Sequence, residues 1–289
     1  MTKIFSRTFR VRWSELNANC ISTGQISPAN YLRYLVETAY DWGDALGLGA
    51  DQEDSFGLYW LIRETQFNIL GTLGHNELFD FTIWMINWQR VRGTRCFEIK
   101  TRDTGRVIIQ GTQQIVCMDI SAQRPTTPPL NIIENFRIAD PIVFPFQQFP
   151  KVSPENNKFS MQRQVEWQDL DAQEHVNNAV YLNFAEEAAA REMRTFGWDP
   201  HQLSQKNLAL SIKRVHIQYQ SPAVWGENLN ISIQHLSVNN TGGSRYFKMN
   251  RTDGTGVAEC ILDWSLVDRA SGNEVDLPAD LISKLRQAG

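Results

Sequence analysis

A chain of 289 residues, 42% hydrophobic, 11% aromatic and 21% charged, has the composition of an ordinary globular protein, which excludes disordered, collagen-like and coiled-coil classes. At about 150 residues per domain the length predicts two domains. The balance of 28 basic against 32 acidic side chains gives a net charge of −4 and a pI near 5.8, which argues against a protein built to neutralise nucleic-acid phosphates. No apolar run approaches the roughly 18 residues of a membrane span. The first residues lack the apolar stretch of a secretory signal, so the cytoplasm is the expected compartment. Cys20, Cys96, Cys117 and Cys260 lie far apart without a CxxC pair and predict free thiols. No phosphate-binding glycine loop and no metal-ligand spacing among His75, His201, His216 and His235 occur, so neither a cofactor nor a metal is expected.

In chain order, a strand is predicted over residues 8–13. A helix follows, because Leu32, Leu35, Ala39, Trp42 and Leu46 are spaced 3, 4, 3, 4 and make one apolar face. Next come alternating positions Leu58, Trp60, Ile62 and then Phe67, Ile69, whose parity reverses midway and predicts a bulge. Strands are expected over 78–88, 95–101 and 107–119, with Asp103-Thr104-Gly105 as a turn. Pro141, Pro145, Pro150 and Pro154 with Phe144, Phe146 and Phe149 then interrupt any ladder and predict a connector laid on the surface of the domains.

The second half repeats the first. Tyr181-Leu182 stands 181 − 31 = 150 residues after Tyr31-Leu32, and the same offset pairs Ile62 with Ile212, Glu77 with Glu227, Gly93 with Gly243 and Arg95 with Arg245. Leu208, Leu210, Ile212 and then Val215, Ile217, Tyr219 reverse parity where the first half does. Each half is therefore a strand, a long helix and four strands, which folds as an antiparallel sheet curled round its helix. That arrangement is the hotdog fold, an α+β architecture, present twice in tandem. The expected domains are 1–139 and 161–289, with residues 140–160 as linker.

The chemistry is concentrated in residues 165–178, where Asp171 and His175 stand four apart just before the second helix. A carboxylate there can serve as base or nucleophile, an imidazole as donor, and unpaired amides near Asn177 and Asn178 can hold a developing oxyanion. The corresponding first-half stretch runs Trp13, Ser14, Glu15, Leu16, Asn17, Ala18, Asn19, Cys20 and has Asn17 opposite Asp171 and no histidine. One active site per chain is expected, with Cys20 a small thiol rather than a nucleophile.

The run Asp169-Leu170-Asp171, then His175-Val176-Asn177-Asn178, followed by Tyr181-Leu182 and Glu187, resembles the active-site segment of the acyl-ACP (acyl carrier protein) thioesterases, tandem hotdog enzymes. The resemblance spans nearly the whole chain. It implies catalytic roles for Asp171, His175 and Gln173, which stands where the family has Asn, and substrate contacts for Asn177, Asn178, Glu187 and Gln220, which stands roughly where the family has Glu. It implies hydrolysis of fatty acyl thioesters on acyl carrier protein, without a cofactor. An acyl-CoA thioesterase and a non-catalytic acyl-binding protein are the alternatives. Trp42 and Trp60 of the first half are expected to shape the acyl pocket. Arg7, Arg10, Arg12, Arg191, Arg194, Lys206, Lys213 and Arg214 offer a solvated surface or a patch for an acidic carrier. A homodimer is compatible with the sequence.

Overall fold

The structure, a computed structural model, describes residues 3–16, 26–48, 57–138, 140–152 and 159–288. Asn17, Asn19 and Cys20 lie outside the described residues. The chain divides into two compact units, Met1–Arg12 with Tyr31–Gln148, and Trp13–Asn30 with Phe149–Gly289. The segment Trp13–Asn30 thus groups with the second unit, where Ser27 Oγ donates to the Glu186 carboxylate at 2.8 Å.

Helix α1 (Pro28–Ala45), counted in the first unit from Tyr31 onward, starts where a helix should. Pro28 occupies its first turn, and Ser27 Oγ accepts the Ala29 N–H at 3.3 Å. Leu32, Leu35, Trp42 and Leu46 are buried as their spacing predicts, and Tyr31, Tyr34 and Thr38 widen the buried face. The strands β1 (Ile4–Arg10), β2 (Leu58–Ile69), β3 (Leu78–Gln89), β4 (Arg92–Thr101) and β5 (Val107–Asp119) form an antiparallel sheet in the order β1-β3-β4-β5-β2, with a two-residue β6 (Arg124–Pro125) on β5. The helix docks on it through rings: Tyr31 meets Phe67 at 6.4 Å and Tyr34 meets Phe79 at 5.0 Å. Phe67, fully enclosed, also contacts Phe97, so Phe67→Ala would cost about 3–5 kcal/mol. A short α2 (Leu130–Phe136) presses Phe136 edge-on against Trp42, 4.8 Å between centroids.

The second unit repeats this plan with β7 (Phe159–Gln164), α3 (Val180–Thr195), β8 (Leu208–Tyr219), β9 (Asn228–Val238), β10 (Gly242–Arg251) and β11 (Gly256–Asp268) in the order β8-β11-β10-β9-β7. Helix α3 buries Tyr181, Leu182, Phe184, Ala185, Ala188 and Met193. The sequence reading did not foresee α4 (Pro200–Gln205), capped reciprocally by Asp199 and Gln202, or α5 (Ala279–Ala288), which follows α2 at the repeat offset, 280 − 130 = 150, and whose Leu281 and Leu285 pack with Met193 and Trp264.

The parity reversals are bulges at equivalent places. Pairing of β2 with β5 shifts between Ile62 and Glu64, and pairing of β8 with β11 passes from Ile212 to Arg214, so Arg63 and Lys213 are the extra residues, again 150 apart. One expectation fails. The opening strand ends at Arg10 instead of reaching Trp13, because the Val11 N–H turns to the Glu77 carbonyl and Trp13–Glu15 winds into a single 3₁₀ turn.

The described part of the connector, residues 140–152, is tied to the unit beside each contact. Trp84 Nε1 donates to the Ile142 carbonyl at 2.7 Å, Gln66 and Gln147 bond reciprocally at 3.0 and 3.1 Å, and in the second unit Phe149 packs on His216 at 4.7 Å.

Each unit also buries one arginine at the same repeat position. Arg95 donates to Gln113 Oε1, whose amide donates on to Thr65 at 2.8 Å, and burial brings the Arg95 pKa down to about 10. Arg245 instead lies 3.2 Å from Glu192 of α3, which also meets His235 at 2.9 Å, with the guanidinium 4.6 Å over the Trp264 ring.

Candidate active site

The segment leading into α3 is shaped by its own hydrogen bonds. Trp167–Asp169 forms a 3₁₀ turn closed by a capping box between Glu166 and Asp169, and Arg163 holds the buried Asp169 carboxylate at 3.1 Å. Leu170 and Val176 then pair as an antiparallel bridge, which forces residues 171–175 into a tight loop. Within it the Asp171 N–H donates to the His175 carbonyl at 2.9 Å and the Glu174 N–H to the Asp171 carbonyl at 3.0 Å. Glu174 takes the turn at φ 62°, left-handed for a residue with a Cβ.

This loop brings Asp171 and His175 together. Asp171 Oδ1 lies 3.8 Å from His175 Nδ1, too far for a hydrogen bond but within ion-pair reach, and both side chains are about one-third exposed, 30% and 33%. Gln173 contributes its main chain, donating to Asp171 Oδ1 at 2.9 Å, while its side chain is exposed. The acid is thus oriented by a backbone amide and remains open to a reactant.

The amides at the helix entrance divide their roles. The Asn177 N–H donates to the Asp169 carbonyl at 2.9 Å, and Asn177 Oδ1 accepts from Ala179 at 2.9 Å. Asn177 is therefore a structural cap, and its amide is unavailable for an oxyanion. The Asn178 N–H has no acceptor among the described residues, and the neighbouring carbonyl of Asn178 is fixed by the Tyr219 hydroxyl at 3.0 Å.

A second loop, residues 221–227, supports the first. Val224 bridges His175, and the Val176 N–H donates to the Ala223 carbonyl at 2.9 Å. The Ala223 N–H donates to Tyr181 Oη at 3.1 Å, and burial pushes the pKa of that phenol up to about 12, so it stays neutral. Arg251 clamps the loop by bonds to Glu227 at 2.9 Å, Ser221 at 2.7 Å and the Pro222 carbonyl at 2.5 Å. Sequence reading missed Tyr219, Ala223 and Arg251 as supports, because their signal is a single polar side chain or amide meeting a loop distant in sequence.

The remaining site expectations place as follows. Glu187 is ion-paired to Arg191 at 2.6 Å, one turn along α3. Gln220 is exposed, and its amide lies where a Cβ on Gly256 would overlap it. Among the described residues no bond joins either to Asp171 or His175. Trp42 is enclosed in the first unit's core against Phe136, whereas Trp60 is half-buried against Trp88 at 5.4 Å. Of the basic set, Arg7, Arg191, Lys213 and Arg214 are each paired with an acid. Cys96, Cys117 and Cys260 are buried free thiols. Among the described residues no cluster of three or more His, Cys, Asp or Glu could hold a metal, and no helix is long and apolar enough to cross a membrane.

Comparison with known proteins adds independent findings. The family model described as the thioesterase-like superfamily matches residues 11–136 and 165–285, once per half. The long-chain acyl-CoA thioesterase FadM of Escherichia coli is 30% identical over 123 residues, covering 41% of this chain and 89% of FadM. Among solved structures, an acyl-ACP thioesterase from Bacteroides thetaiotaomicron superposes with a TM-score of 0.74 at 16% identity, covering 91% of this chain and 98% of that one. A 12:0-ACP thioesterase from Umbellularia californica gives 0.74 at 18% identity, covering 92% and 98%. At such identities the two structures speak for the fold, two hotdog repeats in one chain.

Proposed function

The chain belongs to the thioesterase-like superfamily, its chemistry is thioester hydrolysis, and we propose that its substrates are fatty acyl groups carried on acyl carrier protein. The observation that carries the site assignment is the Asp171 and His175 pair at 3.8 Å beside the free Asn178 N–H. In this reading the thioester carbonyl lies against the Asn178 amide and His175, which stabilise the oxyanion as it forms. The Asp171 carboxylate takes the proton of an attacking water or attacks the carbonyl itself. The C–S bond breaks, the thiolate leaves with a proton, and water's oxygen ends in the fatty acid.

The first half lacks the acid and imidazole pair, so in this reading its role is binding and not chemistry, with Trp60 the accessible candidate for the wall of an apolar pocket within it. Domain limits of 1–139 and 161–289 suit that division of labour. Buried, unpaired thiols accord with a reducing compartment, the cytoplasm. The second reading, an acyl-CoA thioesterase, is favoured by the 30% identity to FadM and by Gln173 in place of Asn.

The test is a hydrolysis panel in which each of several acyl chains is offered on acyl carrier protein and on CoA. Higher kcat/KM on the carrier protein across the panel is expected. Preference for CoA would establish the second reading, and no hydrolysis of either would overturn both.

A further inference from the structure

Two tryptophans, about as exposed as Trp13, are carried by the two loops that make the candidate site and pair with each other. Trp167 is 70% and Trp225 63% exposed, their rings meet edge to face at 5.7 Å, and Val224 between Trp225 and the site is 43% exposed. Both are built into the loops that make the site. Trp167 opens the 3₁₀ turn ending at Asp169, whose carbonyl fixes Asn177, and Trp225 follows Val224, the residue that bridges His175.

The charge around this platform limits what it can hold. Arg163, beside the Trp167 turn, is paired with Asp169, and Arg251, beside Trp225, is paired with Glu227. The adjoining cations are already neutralised, so the platform suits an uncharged, partly apolar group better than a phosphate. A thioester has two substituents on its reacting carbon. The fatty tail demands burial, and the thiol side must leave over the partly exposed edge of Asp171 and His175, in the same pair of loops that carries these indoles.

We propose that Trp167, Trp225 and Val224 form the subsite for the pantetheine arm, the uncharged chain of amides and a geminal dimethyl group through which both CoA and carrier protein present an acyl thioester. The proposal rests on the thioesterase reading above and adds its binding determinant on the thiol side. Indole faces pack the dimethyl group and stack on the planar amides, and the platform is indifferent to what lies beyond the arm's phosphate. Both carriers therefore use it equally.

The test compares wild type with Trp167→Ala, Trp225→Ala, the double variant and Trp13→Ala, an indole 66% exposed in the matching turn that has no histidine after it. The ligands are a non-hydrolysable S-dodecyl pantetheine thioether and its truncation, S-dodecyl-N-acetylcysteamine, with affinity read by calorimetry. Each platform variant is expected to lose about tenfold in affinity for the full arm and little for the truncated one. In the double variant the two ligands should bind alike, and Trp13→Ala should match wild type. In turnover, KM for acyl-pantetheine, acyl-CoA and acyl carrier protein should rise together while kcat holds.

Equal losses on full and truncated ligands would overturn the proposal, since the indoles would then serve the tail or the loop's integrity. A loss confined to acyl carrier protein would overturn it in favour of a protein-docking patch. A change of sedimentation behaviour without loss of thioether affinity would assign the patch to contacts between copies. Arm-dependent thioether binding in a wild type that hydrolyses no thioester would support the subsite while removing the function on which it was founded.

Discussion

The loops after β2 and β8 are built on one frame and used differently. In the first half the Glu77 carbonyl takes the Val11 N–H at 3.1 Å, its carboxylate takes the Gly74 N–H at 2.7 Å, and Asn76 donates back to Val11 at 3.1 Å. In the second, Glu227 takes Val165 at 2.8 Å and Val224 at 3.1 Å, and Gly226 donates back to Val165 at 3.0 Å. Even the left-handed residue is shared, Asn76 at φ 65° and Gly226 at φ 80°. What differs is the equipment on the frame. Val224 and Trp225 replace Gly74 and His75, and Asp171 and His175 have no partner residues of their kind in the first half. Scaffold and candidate site are therefore separable: the frame occurs twice, and among the described residues only the second copy sets an acid beside an imidazole.

The sharpest way to break this comparison is Asp171→Asn, which keeps shape and removes the proposed base. Its kcat is expected to fall by about 10² to 10⁴ at unchanged melting temperature, whereas Asn17→Ala, at the equivalent first-half position, keeps kcat. Equal losses in steady-state assays of the two would show that both halves contribute to the chemistry.

The buried arginines test the frame's interior. Glu192→Gln leaves Arg245 without its counter-charge and is expected to cost about 3–5 kcal/mol in urea unfolding. Gln113→Leu removes only a neutral partner of Arg95 and should cost about 1–3 kcal/mol. A reversed order would mean that the aromatic face of Trp264, not Glu192, holds the second arginine.

A smaller effect is expected from the clamps. Arg251→Leu should lower kcat about tenfold by releasing the loop that positions His175, while Arg106→Leu, which frees Glu77, should lower the melting temperature and spare kcat. Matching kinetic losses would show the first-half loop to be part of the working site.

The smallest effect belongs to the thiols. Burial pushes the Cys117 thiol up to about 11 and raises Cys96 and Cys260 as well, so at pH 8 the thiolate fraction at Cys117 is roughly 10⁻³. Iodoacetamide at pH 8 should leave the activity of a Cys20→Ser variant untouched, and inactivation of that variant would show that a buried thiol becomes accessible.

The repeat was legible because its periodicities are local. The 3, 4, 3, 4 spacing of α1 and the parity reversals at Arg63 and Lys213 announce the helix and the bulges before any contact is known. The pairing of Asp171 with His175 was legible for the same reason, being a short loop at a helix start. Long-range partners were not. The roles of Tyr219, Arg251 and the Glu192, His235 and Arg245 network depend on which strand lies beside which, and a lone polar residue in an apolar strand does not name its partner. The amide of Asn177 was misread because an N-terminal asparagine can cap or donate, and only the Asp169 carbonyl decides which.

The bulges also govern which changes of length the fold can accept. Because Lys213 is the residue without a partner on β11, removing it would leave Ile212 opposite Trp264 and Arg214 opposite Asp263, with each side chain on its present face. Inserting one residue between Val215 and Tyr219 would instead turn the remainder of the strand inside out and carry the Tyr219 hydroxyl away from Asn178. Arg63 gives β2 the same asymmetry. Each half thus carries one site where evolution can shorten a long strand by a single codon without scrambling it, and substitutions there should be as freely tolerated as deletions.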